Sequence, residues 1–512
     1  MKNVIAAGDK ITVDAARTIL EAGGNAYDAA VAACLTAMVA EPALTSAGGG
    51  GFLNAYPTSG KPWVFDFFVD TPSGKIDSSS LAFGPVYVDF GTAVQEFHIG
   101  PGSAGVPGTI KGLLHVHDRL GSVPLRTVLE PAIIAAKEGI TLSEAQAYLL
   151  TLLEPIMGYQ EDGQRIFFRN GELIKGGMQL EMPQFADFLD VLWREGSDLF
   201  YKGEVAKLLL EKMSSGGLIT QEDLENYEVV ERDPLVTSFG GYTVLGNPPP
   251  ACSGMLIDFT LRLLEESGSA ASCPVPVSQV AVAFELTNDV RRHHLEGHLY
   301  ETDLSKLSGR PFFSEYLHRF RNILSSPVEQ YDEPMGKGST THIAILDKDG
   351  NAASVTTSNG SGGGVMIPQT GIMLNNMLGE EDLNPKGFHQ YEPGLRISSM
   401  IAPTIVLESG RPVLVTGSAG SNRIRSAIVQ VLINALCNGL DISTAVETPR
   451  LHLEGNVLDA EPGCSEQSLQ WLERRYEVQR WAEKNLYFGG ANTVTPEDGH
   501  GDSRRGGNST VF

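Results

Sequence analysis

The spacing of hydrophobic residues in the first part of the chain predicts two helices followed by two strands. Residues 11–24, ITVDAARTILEAGG, carry apolar side chains at helical spacing and end in two glycines that can stop a helix. Asn25 is suited to cap a second helix running through Ala40, because its side chain can accept a backbone hydrogen bond. Two short runs then have the composition of strands, FLNAY (52–56) and WVFDFF (63–68).

The middle of the chain is predicted to be mainly helical, with a brief return to strand character. Helical spacing dominates up to about residue 232, and residues 236–245 have the composition of strands. Residues 277–297 predict one long helix. Residues 321–339, RNILSSPVEQYDEPMGKGS, are polar and contain Pro and Gly near their end, so we predict an exposed linker there.

The pattern changes after this linker. THIAILDKDGNAASVTTS (341–358) predicts a strand, a tight turn at Asp349–Gly350 and a second strand. Further strands are predicted at MIAPTIVLE (400–408) and RPVLVTG (411–417), and a helix is predicted at 421–440. This mixture of helices and strands is typical of an α/β protein.

Composition and charge narrow the range of functions. Hydrophobic residues make up 42% of the 512 residues, which is enough for a substantial core. The formal net charge of −24 would repel phosphate backbones, so we expect no nucleic-acid partner. The five cysteines are scattered without a CxxC pair, which disfavours a disulfide scaffold or a zinc ribbon and fits a reducing compartment.

We expect a cytoplasmic protein without a membrane segment. The first residues lack the basic stretch and the uninterrupted apolar run that signal peptides have. The apolar stretch at 29–40 is too short to span a bilayer, so we interpret it as a buried helix.

Four stretches resemble known motifs but depart from their spacing. GKGST (336–340) lacks the spacing of a phosphate-binding loop, and a strand follows it instead of a helix. DKDG (347–350) departs from calcium loops, and HHLEGH (293–298) departs from the zinc-protease motifs. Ser361 lies in a Gly-rich stretch that does not match the nucleophile elbow of esterases.

A threonine at the start of a strand is the remaining candidate nucleophile. A hydroxyl needs a base, and an N-terminal threonine carries its own, the free α-amine, whose pKa lies near neutrality. Thr340 follows the predicted linker and directly precedes the predicted strand at 341. Threonine is also common in strands, so spacing alone leaves a purely structural role open.

Several sequence blocks are together specific to one family. The main ones are TTHIAILDKDGNAAS (340–354), ISSMIAPTI (397–405) and VTGSAGSNRI (415–424), supported by AGGNAYDAAVA (22–32) and GDSRRGG (501–507). With these blocks, nearly the whole chain resembles the γ-glutamyltransferases (glutathione hydrolases) of the N-terminal-nucleophile (Ntn) hydrolase superfamily.

The resemblance implies an α/β fold, a four-layer α-β-β-α sandwich of the Ntn-hydrolase type. It also implies a precursor that cuts itself at the Ser339–Thr340 bond. Residues 1–339 would form the heavy chain and residues 340–512 the light chain, and together they would make one intertwined catalytic unit.

The resemblance further implies the catalytic residues. Thr340 would attack the γ-glutamyl amide and form an acyl-enzyme, with its released amine as the base. Ser358 aligns with the family threonine that hydrogen-bonds the nucleophile. Gly420 and Ser421 align with the glycine pair whose backbone N–H groups form the oxyanion hole. Serine at the second position keeps the N–H but restricts the backbone.

The same resemblance implies the residues that hold the substrate. Ser398 and Ser399 match the pair that binds the substrate α-carboxylate. An acid after Leu-Asn-Asn normally binds the α-amine, and in NNMLGEED (375–382) either Glu380 or Glu381 could fill this role.

One further alignment is ambiguous, and one departure from the family pattern concerns the substrate carboxylate. The family asparagine at the amine end of the substrate aligns with either Asn359 or Gly360. The family arginine that grips the α-carboxylate is replaced, because Phe68 stands at its position in Asp66-Phe67-Phe68-Val69. Arg396 is the residue that could compensate for this loss of a charge-assisted contact.

Three functions therefore remain open from the sequence. The first is an autoprocessing hydrolase or transferase that cleaves the γ-glutamyl amide of glutathione and related compounds. The second is an Ntn amidohydrolase of the same fold with a different acyl group, and the third is an unprocessed, non-catalytic relative. No metal or organic cofactor is implied. The implied partners are a small-molecule substrate and the two chains of one precursor, and the sequence leaves open whether the protein forms a homodimer.

Overall fold

The computed structural model describes residues 1–75, 77, 79–89, 94–300, 306–307, 309–325 and 340–512. Its helices, numbered in chain order, are α1 (Lys10–Glu21), α2 (Ala26–Ala40), α3 (Thr109–Leu120), α4 (Leu125–Glu138), α5 (Glu144–Leu152), α6 (Glu154–Met157), α7 (Glu161–Phe167), α8 (Pro183–Glu195), α9 (Asp198–Tyr201), α10 (Glu204–Met213), α11 (Gln221–Asn226), α12 (Cys252–Glu266), α13 (Val277–Val290), α14 (Arg310–Ser325), α15 (Arg423–Leu432), α16 (Ile442–Glu447) and α17 (Glu466–Leu472). None of these helices is both long enough and apolar enough to cross a membrane.

The strands are β1 (Val4–Ala7), β2 (Gly50–Tyr56), β3 (Trp63–Phe67), β4 (Gly84–Asp89), β5 (Val94–Ile99), β6 (Ile140–Thr141), β7 (Phe168–Arg169), β8 (Glu172–Leu173), β9 (Gln179–Leu180), β10 (Val230–Arg232), β11 (Leu235–Phe239), β12 (Tyr242–Gly246), β13 (Thr341–Leu346), β14 (Ala352–Ser358), β15 (Met366–Ile367), β16 (Ile372–Met373), β17 (Thr404–Glu408), β18 (Arg411–Thr416), β19 (Leu451–Glu454), β20 (Val457–Ala460), β21 (Glu477–Arg480), β22 (Thr493–Val494), β23 (Gly499–His500) and β24 (Asn508–Val511).

Two large sheets organise the molecule. One has seven strands in the order β10-β3-β2-β14-β13-β1-β24, and the other has six in the order β11-β12-β17-β18-β22-β23. Both of these sheets are antiparallel throughout. Strands from both sides of residue 340 are neighbours in the larger sheet, where β13 lies between β14 and β1.

Helices cover the outer faces of the two sheets. α2 packs on β13 and β14 and α3 packs on β2 and β3, whereas α12 packs on β11 and β12 of the other sheet. Between the sheets lies an apolar layer to which Val4, Ala344, Ile405 and Val415 contribute. This order of layers is the four-layer α-β-β-α sandwich predicted from the sequence.

Local sequence signals explain several element boundaries. The Asn25 side chain accepts hydrogen bonds from the backbone N–H groups of Tyr27 and Asp28, and the Asp28 carboxylate accepts one from the Asn25 N–H, so the predicted cap of α2 is confirmed. The predicted hairpin is confirmed as well, because β13 and β14 pair directly across the turn that contains Asp349–Gly350.

Two boundary predictions were wrong. The linker was predicted to begin at residue 321, but α14 continues to Ser325, and its buried Phe313, Tyr316 and Phe320 show an amphipathic helix that extends into the polar stretch. The strand predicted at 400–408 begins only at Thr404. The remainder of the predicted linker, 326–339, lies outside the described residues.

Candidate active site

Thr340 lies at the entrance to β13, an interior strand of the larger sheet. It directly precedes β13 and is 4% exposed. In the β13–β14 pairing Thr341 is opposite Thr357, so Thr340 comes beside Ser358 at the end of β14. The Thr340 hydroxyl donates to the Ser358 hydroxyl at 3.5 Å. The β13–β14 hairpin therefore brings together the hydroxyls of Thr340 and Ser358, which are 18 residues apart in the sequence.

The Gly-rich segment after α2 lets the backbone approach this pair closely. A Cβ at Gly49 would lie 2.2 Å from the carbonyl oxygen of Ser358, which no side chain tolerates. The Ser358 hydroxyl also accepts a hydrogen bond from the Gly360 N–H at 3.0 Å. These contacts hold Ser358 in place beside Thr340, and they give the glycines a packing role.

His342 is the nearest histidine in sequence, but it is not placed to act as the base for Thr340. It is fully buried, and its Nδ1 contacts the Thr356 hydroxyl at 2.8 Å. Burial lowers the pKa of His342 to about 3, so its ring stays neutral. In the uncut chain the Thr340 nitrogen belongs to a peptide bond, so the α-amine becomes available as a base only after cleavage.

A buried carboxyl supports the residue after the nucleophile. Glu41, at the end of α2, accepts hydrogen bonds from the hydroxyls of Thr341 at 2.5 Å and Thr12 at 2.7 Å. Burial and the nearby Asp9 raise the pKa of Glu41 to about 7. Glu41 was not predicted, although an acid directly after a mainly apolar helix is a signal that could have identified it.

The two glutamates that were candidates for the amine site differ in burial. Glu381 is exposed, whereas Glu380 is buried and accepts a hydrogen bond from the Ser361 hydroxyl at 3.2 Å. A Cβ at Gly360 would lie 2.7 Å from Oε1 of Glu380, so this carboxyl lies close to Ser358. Burial, and secondarily Asp382, raise the pKa of Glu380 to about 8.

Asn359 and Gly360 lie between Ser358 and Ser361. Asn359 is 2% exposed, and its Oδ1 has no hydrogen-bond partner among the described residues. Gly360 adopts a φ of +64° and has no side chain to offer a ligand. If a side chain at this point contacts the substrate, Asn359 is the one that can.

The two serines of the Ser-Ser-Met block differ in their surroundings. The Ser399 hydroxyl accepts a hydrogen bond from the Ile401 N–H at 3.0 Å and is buried. The Ser398 hydroxyl lies 3.1 Å from the sulfur of Cys252, and Ser398 lines a cavity of about 680 Å³. Ser398 is therefore the more accessible of the two.

The loop with Gly420 and Ser421 has an unusual backbone. Gly420 has a φ of +117° and Ser421 a φ of +50°, a region that favours glycine over serine. The Ser421 hydroxyl donates to Oδ2 of Asp382 at 2.9 Å. This hydrogen bond connects the loop to the segment that carries Glu380. Asp382 was missed because the sequence analysis considered only the two preceding acids.

Phe68, which stands at the position of the family arginine, is buried in the core. Phe68 is 1% exposed, and its ring stacks on Phe52 with centroids 5.6 Å apart. Its carbonyl accepts a hydrogen bond from the Tyr227 hydroxyl at 2.7 Å. The position that holds an arginine in the resembling family thus contributes an apolar side chain to the packing here.

Arg396 is already occupied by protein partners. Its Nε donates to Asp70 at 2.6 Å, its Nη1 to Asp66 at 2.9 Å, and its Nη2 to the carbonyl of Glu228 at 2.7 Å. Its guanidinium also lies over the Tyr227 ring. The hypothesis that Arg396 replaces the missing arginine is therefore not supported by this geometry.

The remaining site predictions are less constrained. Ser339, on the other side of the proposed cleavage bond, lies outside the described residues. His294 makes an edge-to-face contact with Phe312, with ring centroids 5.0 Å apart. No three His, Cys, Asp or Glu side chains in the described ranges are placed to share a metal ion.

Comparison with curated proteins identifies relatives over most of the chain. The chain is 30% identical to the glutathione hydrolase proenzyme of Escherichia coli (strain K12), over 93% of this chain and 85% of the relative. It is also 30% identical to the acylase ACY 1 proenzyme of Pseudomonas sp. (strain SE83), over 89% of this chain and 83% of the relative.

Solved structures share the fold. The cephalosporin acylase of Bacillus halodurans aligns with a TM-score of 0.84 and 23% identity, over 99% of this chain and 95% of that chain. A gamma-glutamyltranspeptidase chain of Pseudomonas nitroreducens aligns with a TM-score of 0.52 and 28% identity, over 61% of this chain and 92% of that chain.

The family model for gamma-glutamyltranspeptidase matches residues 12–511, which is nearly the entire sequence. This match agrees with the relatives and with the four-layer fold. The chain therefore belongs to the gamma-glutamyltranspeptidase family.

Proposed function

We propose that this protein is an autoprocessing γ-glutamyl hydrolase or transferase that acts through an acyl-enzyme on Thr340. The observation that carries this proposal is the buried Thr340 hydroxyl at the start of β13, 3.5 Å from Ser358. A strand-leading threonine of this kind gains a base when the preceding peptide bond is cut. Its family relatives include glutathione hydrolase proenzymes.

The proposed chemistry runs twice through the same hydroxyl. During processing, Oγ1 of Thr340 attacks the carbonyl carbon of Ser339, the C–N bond breaks, and water hydrolyses the resulting ester. This leaves a carboxylate on Ser339 and a free α-amine on Thr340. In turnover the amine takes the hydroxyl proton and passes it to the departing amine of the substrate. Water or an acceptor amine then releases the acyl group.

The proposed substrate is a small γ-glutamyl amide, with Glu380 at its α-amine, Ser398 and Ser399 at its α-carboxylate, and the backbone N–H groups of Gly420 and Ser421 at its oxyanion. The test is turnover of γ-glutamyl-p-nitroanilide by the processed protein, with and without a dipeptide acceptor. Release of nitroaniline without acceptor supports hydrolysis, and acceleration by the dipeptide supports transfer. Failure to release nitroaniline under either condition would argue against the γ-glutamyl assignment.

An amidohydrolase with a different acyl group is the second candidate. Phe68 packs into the core and Arg396 is held by two carboxylates, so the α-carboxylate lacks the arginine that other members use. Relatives of the chain also include acylase proenzymes. A panel of acyl anilides separates this candidate from the first.

We predict that removing the substrate α-carboxylate costs little. Ser398 and Ser399 offer neutral hydrogen bonds, each worth about 1 kcal/mol, whereas a charge-assisted fork is worth more. The measurement compares kcat/KM for γ-glutamyl-p-nitroanilide and γ-aminobutanoyl-p-nitroanilide, which lacks only the carboxylate. A loss of kcat/KM near a thousandfold, roughly 4 kcal/mol, would show that a cation binds the substrate α-carboxylate.

We also predict a pH signature from Glu380. Burial raises its pKa to about 8, so it is mostly neutral below that pH and becomes the charged partner of a substrate ammonium as pH rises. The ratio of kcat/KM for γ-glutamyl- over glutaryl-p-nitroanilide should therefore rise with pH up to about 8 and fall again once the substrate ammonium loses its own proton.

The glutaryl substrate lacks only the amine, so titration of the Thr340 α-amine cancels in the ratio. In Glu380→Gln the ratio should no longer rise with pH below about 8, whereas Glu381→Gln, at the exposed neighbour, should behave like the unaltered protein. A pH-independent ratio in the unaltered protein would remove Glu380 from the amine site.

For location and assembly, we propose a cytoplasmic enzyme whose two chains come from one precursor and whose processed form makes a homodimer. The scattered cysteines, without a CxxC pair, support the cytoplasmic location. Sedimentation of the processed protein tests the dimer.

A further inference from the structure

A cavity of about 680 Å³ begins at the proposed substrate site and continues well beyond it. Ser398 and Asp382 form part of its wall. Asp382 holds the Ser421 hydroxyl, and it follows Glu380 by two residues, so this end of the cavity adjoins the residues around Thr340. Pockets of roughly 300–1,000 Å³ bury drug-sized ligands. A γ-glutamyl group, a five-carbon chain with one amine and one carboxylate, fills only a small part of such a space.

The lining beyond Ser398 is mixed, and one part of it is apolar and aromatic. Leu295, Leu299, Tyr300, Tyr391 and Met400 contribute side chains to it. Leu295 and Leu299 belong to a buried apolar cluster against which Met400 packs. Surfaces of this kind gain free energy by covering the apolar body of a ligand.

The charged residues that line the cavity do not require the ligand to carry a carboxylate. Arg291 is paired with Glu454, and Arg396 is paired with Asp66 and Asp70. Lys386, Glu296 and Glu392 bring both signs of charge to the lining. An apolar ligand therefore leaves no lining arginine without a carboxylate partner.

We propose that the acyl site of this enzyme takes amides whose acyl group carries a bulky apolar or aromatic part beyond the length of glutamyl. The inference rests on the proposed function, because the role of Ser398 at the far end of the acyl chain orients the cavity. In that orientation the added group lies past Ser398, on the acyl side of the scissile bond, and the leaving amine lies on the opposite side of Thr340.

The test compares matched anilides with the processed protein. Kcat/KM for δ-phenylpentanoyl-p-nitroanilide should exceed that for pentanoyl-p-nitroanilide by about tenfold or more, because the phenyl group buries apolar surface in the cavity. When the phenyl group is added to the leaving amine instead of the acyl group, kcat/KM for the pentanoyl amide should not increase. A gain only on the amine side, or no gain on either side, would overturn the inference.

Cavity-filling variants locate the effect. Met400→Trp and Leu299→Trp should each reduce the phenyl advantage to less than about threefold while leaving pentanoyl turnover nearly unchanged. Met255→Trp is the matched control, since Met255 packs against the same apolar cluster but does not line the cavity. An undiminished phenyl advantage in both folded cavity variants would contradict the proposed location.

The outcomes also separate this inference from the proposed function. If pentanoyl and γ-glutamyl anilides are turned over but the phenyl group brings no gain, only the bulky-acyl inference fails. If the chain remains uncut and no anilide is turned over, the proposed function fails and the inference falls with it.

Discussion

Thr340→Ala is expected to abolish both chain cleavage and substrate turnover, because one hydroxyl performs both acyl transfers. Removing the nucleophile of an acyl-transfer enzyme lowers kcat by about 10⁶-fold, which here means no detectable product. A denaturing gel shows the cleavage, and release of nitroaniline from γ-glutamyl-p-nitroanilide shows the turnover. Thr340→Ser keeps a hydroxyl at the same position and is expected to retain both reactions.

Thr341→Ala is the matched comparison at the neighbouring threonine. It should still cleave, since it removes only the hydrogen bond to Glu41. That loss leaves a buried carboxyl with one donor fewer, and a destabilisation of about 1–3 kcal/mol is expected by chemical denaturation. If Thr341→Ala folds and yet neither cleaves nor turns over substrate, the choice of Thr340 over Thr341 loses its support.

Asp382→Ala is expected to lower kcat by about 10- to 100-fold through Ser421. The Ser421 backbone has a φ of +50°, which costs free energy for serine, and the hydrogen bond to Asp382 holds it there. Without that bond the loop can relax, and its N–H groups leave the position of the oxyanion. Loss of one oxyanion donor costs about 10²–10³ in kcat, which sets the upper limit for this effect.

A double-mutant cycle shows whether Asp382 acts through Ser421. Ser421→Gly should remain active, because glycine adopts this backbone without the hydrogen bond. In that background Asp382→Ala should cost less than about threefold in kcat. Glu381→Ala, at the exposed neighbour, should be neutral in both backgrounds. Equal costs of Asp382→Ala with serine and with glycine at 421 would mean that Asp382 acts independently of this loop.

The parts of the fold that follow from local signals could be predicted from the sequence. Asn25 and Asp28 cap α2 through contacts between near neighbours, and the turn at Asp349–Gly350 fixes the β13–β14 register. That register alone puts Thr340 beside Ser358. The order of the four layers required the family resemblance, because strand periodicity does not say which strands become neighbours.

Contacts between distant parts of the chain could not be predicted. Glu41 meets Thr341 across 300 residues, and the partners of Arg396 come from two other segments. Local patterns carry no information about such pairs, so Arg396 was expected at the substrate although Asp66 and Asp70 hold it. The choice between Glu380 and Glu381 likewise depended on burial, which two adjacent acids do not reveal.

The central claim is that Thr340 becomes the N-terminus of a separate catalytic chain. The most direct measurement is N-terminal sequencing and intact mass of the short chain in purified, active protein. The short chain is expected to begin Thr-Thr-His-Ile, with the heavy chain ending at Ser339. A short chain beginning at Thr341, or a single uncut chain with full activity, would contradict it.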